Sequence, residues 1–246
     1  AVMKGVILSE LPGARIIDLT HEVHVHWPAE AGFWLSHSYQ YFPEGTVHIA
    51  VVDPGVGTSR DILGAECNGH FFLAPDNGLL PAVLDDQDDK KLHRLSSAWL
   101  ASHIESEISS TFHGRDIFAP LGAGIASGKF LLGDIGPEID DPVPSLIEPA
   151  EIVGKQLRGI VIAIDHFGNL ITNIDAEQMQ GFSAPVAQVA SRQFPFKKTY
   201  GTVTPGNYLA LINSFGVVEI ARAEGSAADS LGLGWGAPVN IQESAD

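Results

Sequence analysis

Residues 51–60 read VVDPGVGTSR and close an apolar, β-branched run at 46–52, TVHIAVV. A strand that ends on an acid, Asp53, and opens into a Pro-Gly-Val-Gly loop suits an α/β sheet, whose ligands sit beyond the carboxyl ends of its strands. Asp53 and Arg60 can approach each other across such a loop. A single glycine-rich loop is a weak signal, and a plain turn with an acid and a base in solvent accounts for the same residues. The flanking segments decide between the two.

Upstream, residues 2–11 read as the end of a helix stopped near Pro12-Gly13. Residues 14–19 (ARIIDL) read as a short strand, and 29–41 as a helix with apolar spacing. Between them lies THEVHVHW at 20–27, a loop or strand with His24 and His26 on one face. Glu22, His24 and His26 could ligate zinc. A polar strand end explains them better, since no other His, Cys or Asp cluster has ligand spacing that clearly completes the set.

Downstream, 62–73 reads as a hairpin turning at Asn68-Gly69, the strongest short hairpin signal. Residues 74–80 (APDNGLL) put Asp76 and Asn77 in a tight turn before a helix at 79–84, a pattern that capping and turn chemistry explain alone. A short strand at 92–95 and a polar stretch at 96–110 lead to TFHGRDIFAP at 111–120. Here Phe112, His113, Gly114, Arg115 and Asp116 stand consecutively before a helix expected at 116–127. Asp116 suits the positive end of that helix, and His113 sits at its entrance.

Residues 133–152 are rich in Pro, Gly and acids and read as a linker, which sets a boundary near residue 150. Short strands then recur at 156–164, 170–174, 187–190, 208–212, 217–221 and 238–241, separated by Gly, Pro and Asn turns. The spacing suggests a small β-barrel or sandwich over 151–246, after an expected α/β domain with a Rossmann-like central sheet over 1–150.

Composition narrows the function. The 246 residues are 45% hydrophobic and 18% charged, as in a globular chain, and the net charge is −16. That charge argues against a nucleic-acid partner and against an anionic membrane surface. The single cysteine, Cys67, allows no disulfide framework and reads as a buried, inert thiol. No apolar run reaches membrane-spanning length, and the cytoplasm is the expected compartment.

The strings VVDPGVGTSR, APDNGLL, TFHGRDIFAP and IDHFGNLITNI stand in order along one chain, with NSFGVVEIA near its end. Together they resemble the S-adenosylmethionine hydrolase (adenosine-forming) family, the S-adenosylmethionine hydroxide adenosyltransferases, related to the fluorinase and chlorinase. The resemblance implies an α/β N-terminal domain and a β-barrel C-terminal domain. It implies a homotrimer with sites between one subunit's N-terminal and its neighbour's C-terminal domain, and no cofactor or metal. The family's Asp–Arg–His triad about a water falls on Asp53, Arg60 and His113. The halogenases have a tyrosine and a threonine where this chain has Asp53 and Val56, which favours the hydrolase branch.

By the same resemblance, Asp165, Phe167 and Asn169 match the family's turn around the methionine part of the substrate, and Ser214 a serine at the same amino-acid end. Asn77 matches the asparagine of its PDNG turn, Phe112 a residue beside the ribose, and Arg222 an arginine near the adenine. The family pattern also has an early strand with a TDFG-like motif, whose aspartate grips the ribose hydroxyls, and this sequence starts after it. Phe215, Ala223 and His26 depart from frequent family residues, which implies an altered substrate preference. The expected reaction is attack of water on the ribose 5′ carbon of S-adenosylmethionine, with Asp53 and His113 deprotonating the water and Arg60 orienting Asp53. A non-catalytic S-adenosylmethionine- or adenosine-binding protein, a zinc hydrolase and a halogenase are the alternatives.

Overall fold

The computed structural model describes residues 1–85, 87–104 and 107–244. Contacts divide the chain into two units, residues 1–146 and 147–246. The expected polar stretch at 96–110 and the C-terminal span 151–246 include positions 105, 106, 245 and 246, which lie outside the described residues.

The first unit opens with helices α1 (Val2–Glu10) and α2 (Pro28–Ser36). Strands β1 (Val47–Ile49), β2 (Ile62–Cys67) and β3 (His70–Pro75) follow, then α3 (Pro81–Leu84), β4 (Lys91–Arg94), α4 (Ser97–His103) and α5 (Ala119–Ala126). The sheet order is β1-β3-β2-β4, with β1 parallel to β3 and the other pairs antiparallel. The α/β class therefore holds in the form of a mixed sheet.

Two sequence expectations need correction. The run at 46–52 gives only a three-residue strand at the edge of the sheet, because pairing with β3 ends once the Ala50 N–H has bonded to the Leu73 carbonyl. Residues 14–19 form no strand. They pair with no described strand, and Ile17 and Leu19 stay 65% and 47% exposed, so neither ladder bonds nor burial fix an extended form.

The hairpin is as expected. Cys67 opposes His70, and Asn68 and Gly69 have φ of 49° and 73°, the left-handed pair that a type I′ turn demands. Cys67 is buried, and burial pushes its thiol up to about 11. Side chains alternate across the sheet with period two. Leu63, Ala65 and Phe72 join a core with Ala31, Leu35, Leu79 and Leu80, while Ile62 and Leu73 join Phe118, Leu121 and Ile135. Both faces are thus covered, and the loops at the strand ends are held by a rigid layer.

The second unit holds β5 (Glu151–Val153), β6 (Gln156–Ile164), β7 (Leu170–Asp175), β8 (Pro185–Val189), β9 (Arg192–Pro195), β10 (Tyr208–Ile212) and β11 (Val217–Arg222), then helix α6 (Ala227–Leu231) and β12 (Pro238–Glu243). Its strand pairs are antiparallel in the order β10-β11-β7-β6-β12-β8-β9, with β5 beside β6. A parallel bridge from Phe196 to Ala210 brings the chain after β9 back to β10, so the sheet nearly closes into a barrel. Inward residues such as Leu157, Val161, Leu170, Val218, Ile220 and Val239 form its core. The strand β9, RQFP, was not expected, since it is short, polar and ends in proline.

Candidate active site

Asp53 stands where the edge strand has run out of partners. The Asn77 side chain reaches over from the turn after β3 and donates to the Val52 carbonyl at 2.8 Å, which fixes the residue just before Asp53. The loop then folds back on itself through Val56 N–H to Asp53 O, Thr58 N–H to Gly55 O and Thr58 Oγ1 to Gly55 O. Gly57 has φ of 76°, and a Cβ there would lie 2.1 Å from the Ser110 carbonyl oxygen. Only glycine lets this loop lie against the segment that leads to His113.

The folded loop brings Arg60 onto Asp53. Arg60 Nε donates to Asp53 Oδ1 at 3.1 Å and Oδ2 at 3.0 Å, and Nη2 donates to Oδ2 as well. The side chains are 10% and 5% exposed, so this pair is buried. A buried carboxylate held by a guanidinium fork is fixed in geometry, and either charge alone would be costly there. The Arg60 guanidinium also lies 6.0 Å from the centre of the Phe118 ring.

His113 completes the group from the segment that leads into α5. It caps a single π-helical turn, Gly114–Phe118, that runs directly into α5, so the helix expected at 116–127 begins earlier and with a wider first turn. Arg115 and Asp116 pair with each other, and Asp116 also accepts from Ser109 N–H at 2.8 Å, which ties down the approach to His113. Arg60 Nη2 lies 2.8 Å from His113 Nδ1. A guanidinium has donors and no acceptor, so Nδ1 accepts, and a neutral His113 carries its proton on Nε2. Burial, then the Arg60 charge, lowers the His113 pKa below the ordinary imidazole value, against the opposing pull of Asp53 and Asp116. The imidazole is therefore neutral at neutral pH, and it presents Nε2–H as a donor. With Nδ1 engaged by Arg60, His113 can offer Nε2–H to an oxygen, and Asp53 keeps lone pairs that can accept a proton.

Asn77 Oδ1 is buried without a hydrogen-bond partner among the described residues. Phe112 is 38% exposed, with Arg115 over its ring at 5.2 Å. Asp76, the other polar residue of the turn, is structural: it accepts from Val143 N–H at 2.8 Å, and burial raises its pKa. Among the described residues no group of three or more His, Cys, Asp or Glu side chains is gathered to hold a metal. Glu22, His24 and His26 form no such cluster, and His26 has φ of 66°, outside the extended form that would align it with His24.

In the second unit the turn 165–169 is built around Asp165. Its Oδ1 accepts from Phe167 N–H and Asn169 N–H at 2.9 Å each, and Oδ2 from the Asn169 amide at 2.9 Å. Phe167 is 76% exposed at the tip of this turn. Ser214 is exposed in the turn between β10 and β11. Arg222, at the end of β11, donates to Gly206 O and Ser230 Oγ and lies over the Tyr208 ring. One group escaped the sequence reading: Glu219, buried in β11 with Tyr200 and Asn213 on its two oxygens. The visible signal was a carboxylate in the middle of an apolar run, GVVEIA.

A mixed α/β unit bearing a buried carboxylate–guanidinium–imidazole group beyond a strand end, together with an antiparallel barrel-like unit, has the equipment of an acid–base enzyme. Comparison with known proteins makes this specific. Residues 1–136 match the family model of the SAM hydroxide adenosyltransferase N-terminal domain, and residues 159–240 that of the C-terminal domain. The (R)-S-adenosyl-L-methionine hydrolase of Thermus thermophilus is 35% identical over 98% of this chain and 93% of its own length. A fluorinase of an Actinoplanes species is 26% identical over 99% of this chain and 93% of its own. The crystal structure of an uncharacterized conserved protein from Thermotoga maritima superimposes with a TM-score of 0.88 at 32% identity, covering 98% of this chain and 94% of that one. The chain belongs to the SAM hydroxide adenosyltransferase family.

Proposed function

We propose that this protein hydrolyses S-adenosyl-L-methionine to adenosine and L-methionine. The observation that carries the reading is the buried Asp53–Arg60 pair whose guanidinium also engages His113 Nδ1. The oxygen of one water attacks the ribose 5′ carbon, a C–O bond forms, and the C–S bond breaks with its electrons going to sulfur. The sulfonium leaves as the neutral thioether of methionine, so the leaving group needs no acid. Asp53 takes the proton that the water loses. A carboxylate has roughly four lone-pair sites, so Asp53 can serve Arg60 and a water together. His113 Nε2–H holds the oxygen, and the Arg60 charge favours its hydroxide form. Orientation supplies up to roughly 7–11 kcal/mol and the base about 10²–10⁴-fold.

The substrate contacts of this reading are Asn77 and Phe112 in the first unit and Asp165, Phe167, Asn169, Ser214 and Arg222 in the second. The unpartnered Asn77 Oδ1 supports a hydroxyl-binding role, and the exposed Phe167 ring a packing one. The parallel β1–β3 pair, with the site loop at the carboxyl end of β1, supports a Rossmann-like parentage for the first sheet. The family resemblance supports a homotrimer, and the same reading needs neither cofactor nor metal. The single thiol fits the reducing cytoplasm, and the net charge of −16 speaks for a cationic small molecule over nucleic acid or an anionic membrane surface.

The test is to incubate the purified protein with S-adenosylmethionine in the presence of a chelator and follow products by chromatography. Adenosine and methionine are expected, with both lost in Asp53→Ala and turnover reduced about 10²-fold or more in His113→Ala. Normal turnover in Asp53→Ala would sink the assignment.

A further inference from the structure

Glu219 lies in mid-strand on β11, 2% exposed, opposite Leu211 of β10 and Ile171 of β7. A carboxylate at such a position is costly unless donors meet both oxygens. Both are met. Tyr200 Oη donates to Oε1 at 2.7 Å, and Asn213 Nδ2 donates to Oε2 at 3.2 Å. Among the described residues no ion pair involves Glu219.

The second bond has a consequence for the turn. Because Glu219 takes the Asn213 amide nitrogen, the Asn213 oxygen must face the other way. There it accepts from Phe215 N–H at 3.0 Å and Val217 N–H at 3.3 Å. Backbone bonds from Asn213 N–H to Val217 O and from Gly216 N–H to Asn213 O close the same turn. Ser214 rides on it. An amide flip at Asn213 would set a donor against two donors and release the turn.

We propose that Glu219 is a positioning residue: through Asn213 it fixes the 213–217 turn so that Ser214 is pre-organised for the amino-acid end of the substrate. This rests on the proposed reaction, since the amino-acid end is what Ser214 meets there. Glu219 touches no substrate. Its effect falls on binding of the methionine part, while the chemistry at the ribose is left to Asp53, Arg60 and His113. Burial raises the Glu219 pKa, the two hydrogen bonds oppose that rise, and the Asp165 charge adds to it.

A polarity swap tests the proposal. In mildly alkaline buffer Asn213→Asp sets two carboxylates face to face. Adding Glu219→Gln restores the bond in reverse, with the glutamine amide donating to the new acid and its oxygen still accepting from Tyr200. Losing a hydrogen bond to a charged group is worth about tenfold in affinity. The single variant should raise KM for S-adenosylmethionine and Kd for L-methionine about tenfold, with kcat within about twofold and adenosine affinity unchanged. The double variant should return both constants to within about threefold of the starting protein. Tyr200→Phe, at a 44% exposed site, removes one bond with little risk to folding and should raise Kd for L-methionine about threefold. Unchanged L-methionine affinity in Asn213→Asp and Tyr200→Phe, or a double variant no better than the single, overturns the proposal. The two readings fail separately. A protein that binds L-methionine through this pair without hydrolysing S-adenosylmethionine loses the proposed reaction only, and one that hydrolyses it with L-methionine binding indifferent to the pair loses the positioning role only.

Discussion

The chemistry of single residues turns on which nitrogen of His113 carries a proton. The Arg60 fork settles this, because it offers donors only, and it does so while gripping Asp53. The consequence is a pH dependence with a defined sign. In the proposed reaction the imidazole is a neutral donor, and its pKa is lowered by burial and by Arg60. The midpoint of its protonation therefore lies below the ordinary histidine value of about 6.5. The expected kcat/KM is level through neutral pH and falls on the acid side, with the limb centred below that value. A limb centred above it, measured across a buffer series, would contradict a depressed, neutral His113. From residue chemistry alone the sequence brought only Asp53 towards Arg60, and it joined His113 to them through the family resemblance. Their closure into one group needed the loop that the fold supplies.

At the scale of elements, the loop 53–60 and the segment before His113 are held together by the absence of a side chain. Gly57 combines a positive φ with a near contact to the Ser110 carbonyl. Gly57→Ala should therefore separate the loop from that segment, cut turnover about tenfold or more, and cost about 1–2 kcal/mol from φ alone, seen as a lowered melting temperature. Gly201→Ala, where a Cβ meets nothing within 4 Å and φ is not positive, is the matched control and should change neither. Undiminished turnover in Gly57→Ala would remove the loop's close packing from the account. Turn chemistry of this kind is what the sequence conveyed best. Asn68-Gly69 announced its hairpin, and DHFGN its turn at 165–169, because the residue types act locally. The sequence conveyed least where tertiary pairing decides. The apolar runs at 14–19 and 46–52 look alike on paper, yet one is an edge strand and the other no strand. The polar β9 is a strand because β8 is beside it. Glu219 was passed over because its partners, Tyr200 and Asn213, are distant in sequence or face away from it in the linear pattern.

At the scale of the whole chain, the two units have separate cores. The first holds Asp53, Arg60 and His113, and the second the turns on which Asp165, Asn169 and Ser214 sit. The net charge of −16 suits a cationic substrate and neutral products, since adenosine carries no charge and methionine is a zwitterion. No helix among the described residues is long and apolar enough to cross a membrane.

The barrel-like sheet also has a seam. Between β9 and β10 the described closure is the Phe196–Ala210 bridge, with Lys197 N–H bonded to Ala210 O at 2.8 Å, whereas β10 and β11 pair along five residues. Cooperative opening starts where the fewest bonds must break at once. In deuterated solvent the amides around 196–197 should exchange first, those of β6, β7 and β11 last, and mass spectrometry of peptides resolves the order. Uniform protection around the sheet would mean that the ring has no weak link. If the seam does lead, the strand that closes the barrel is also the one that lets it breathe, and Tyr200, five residues past β9, connects that breathing to Glu219.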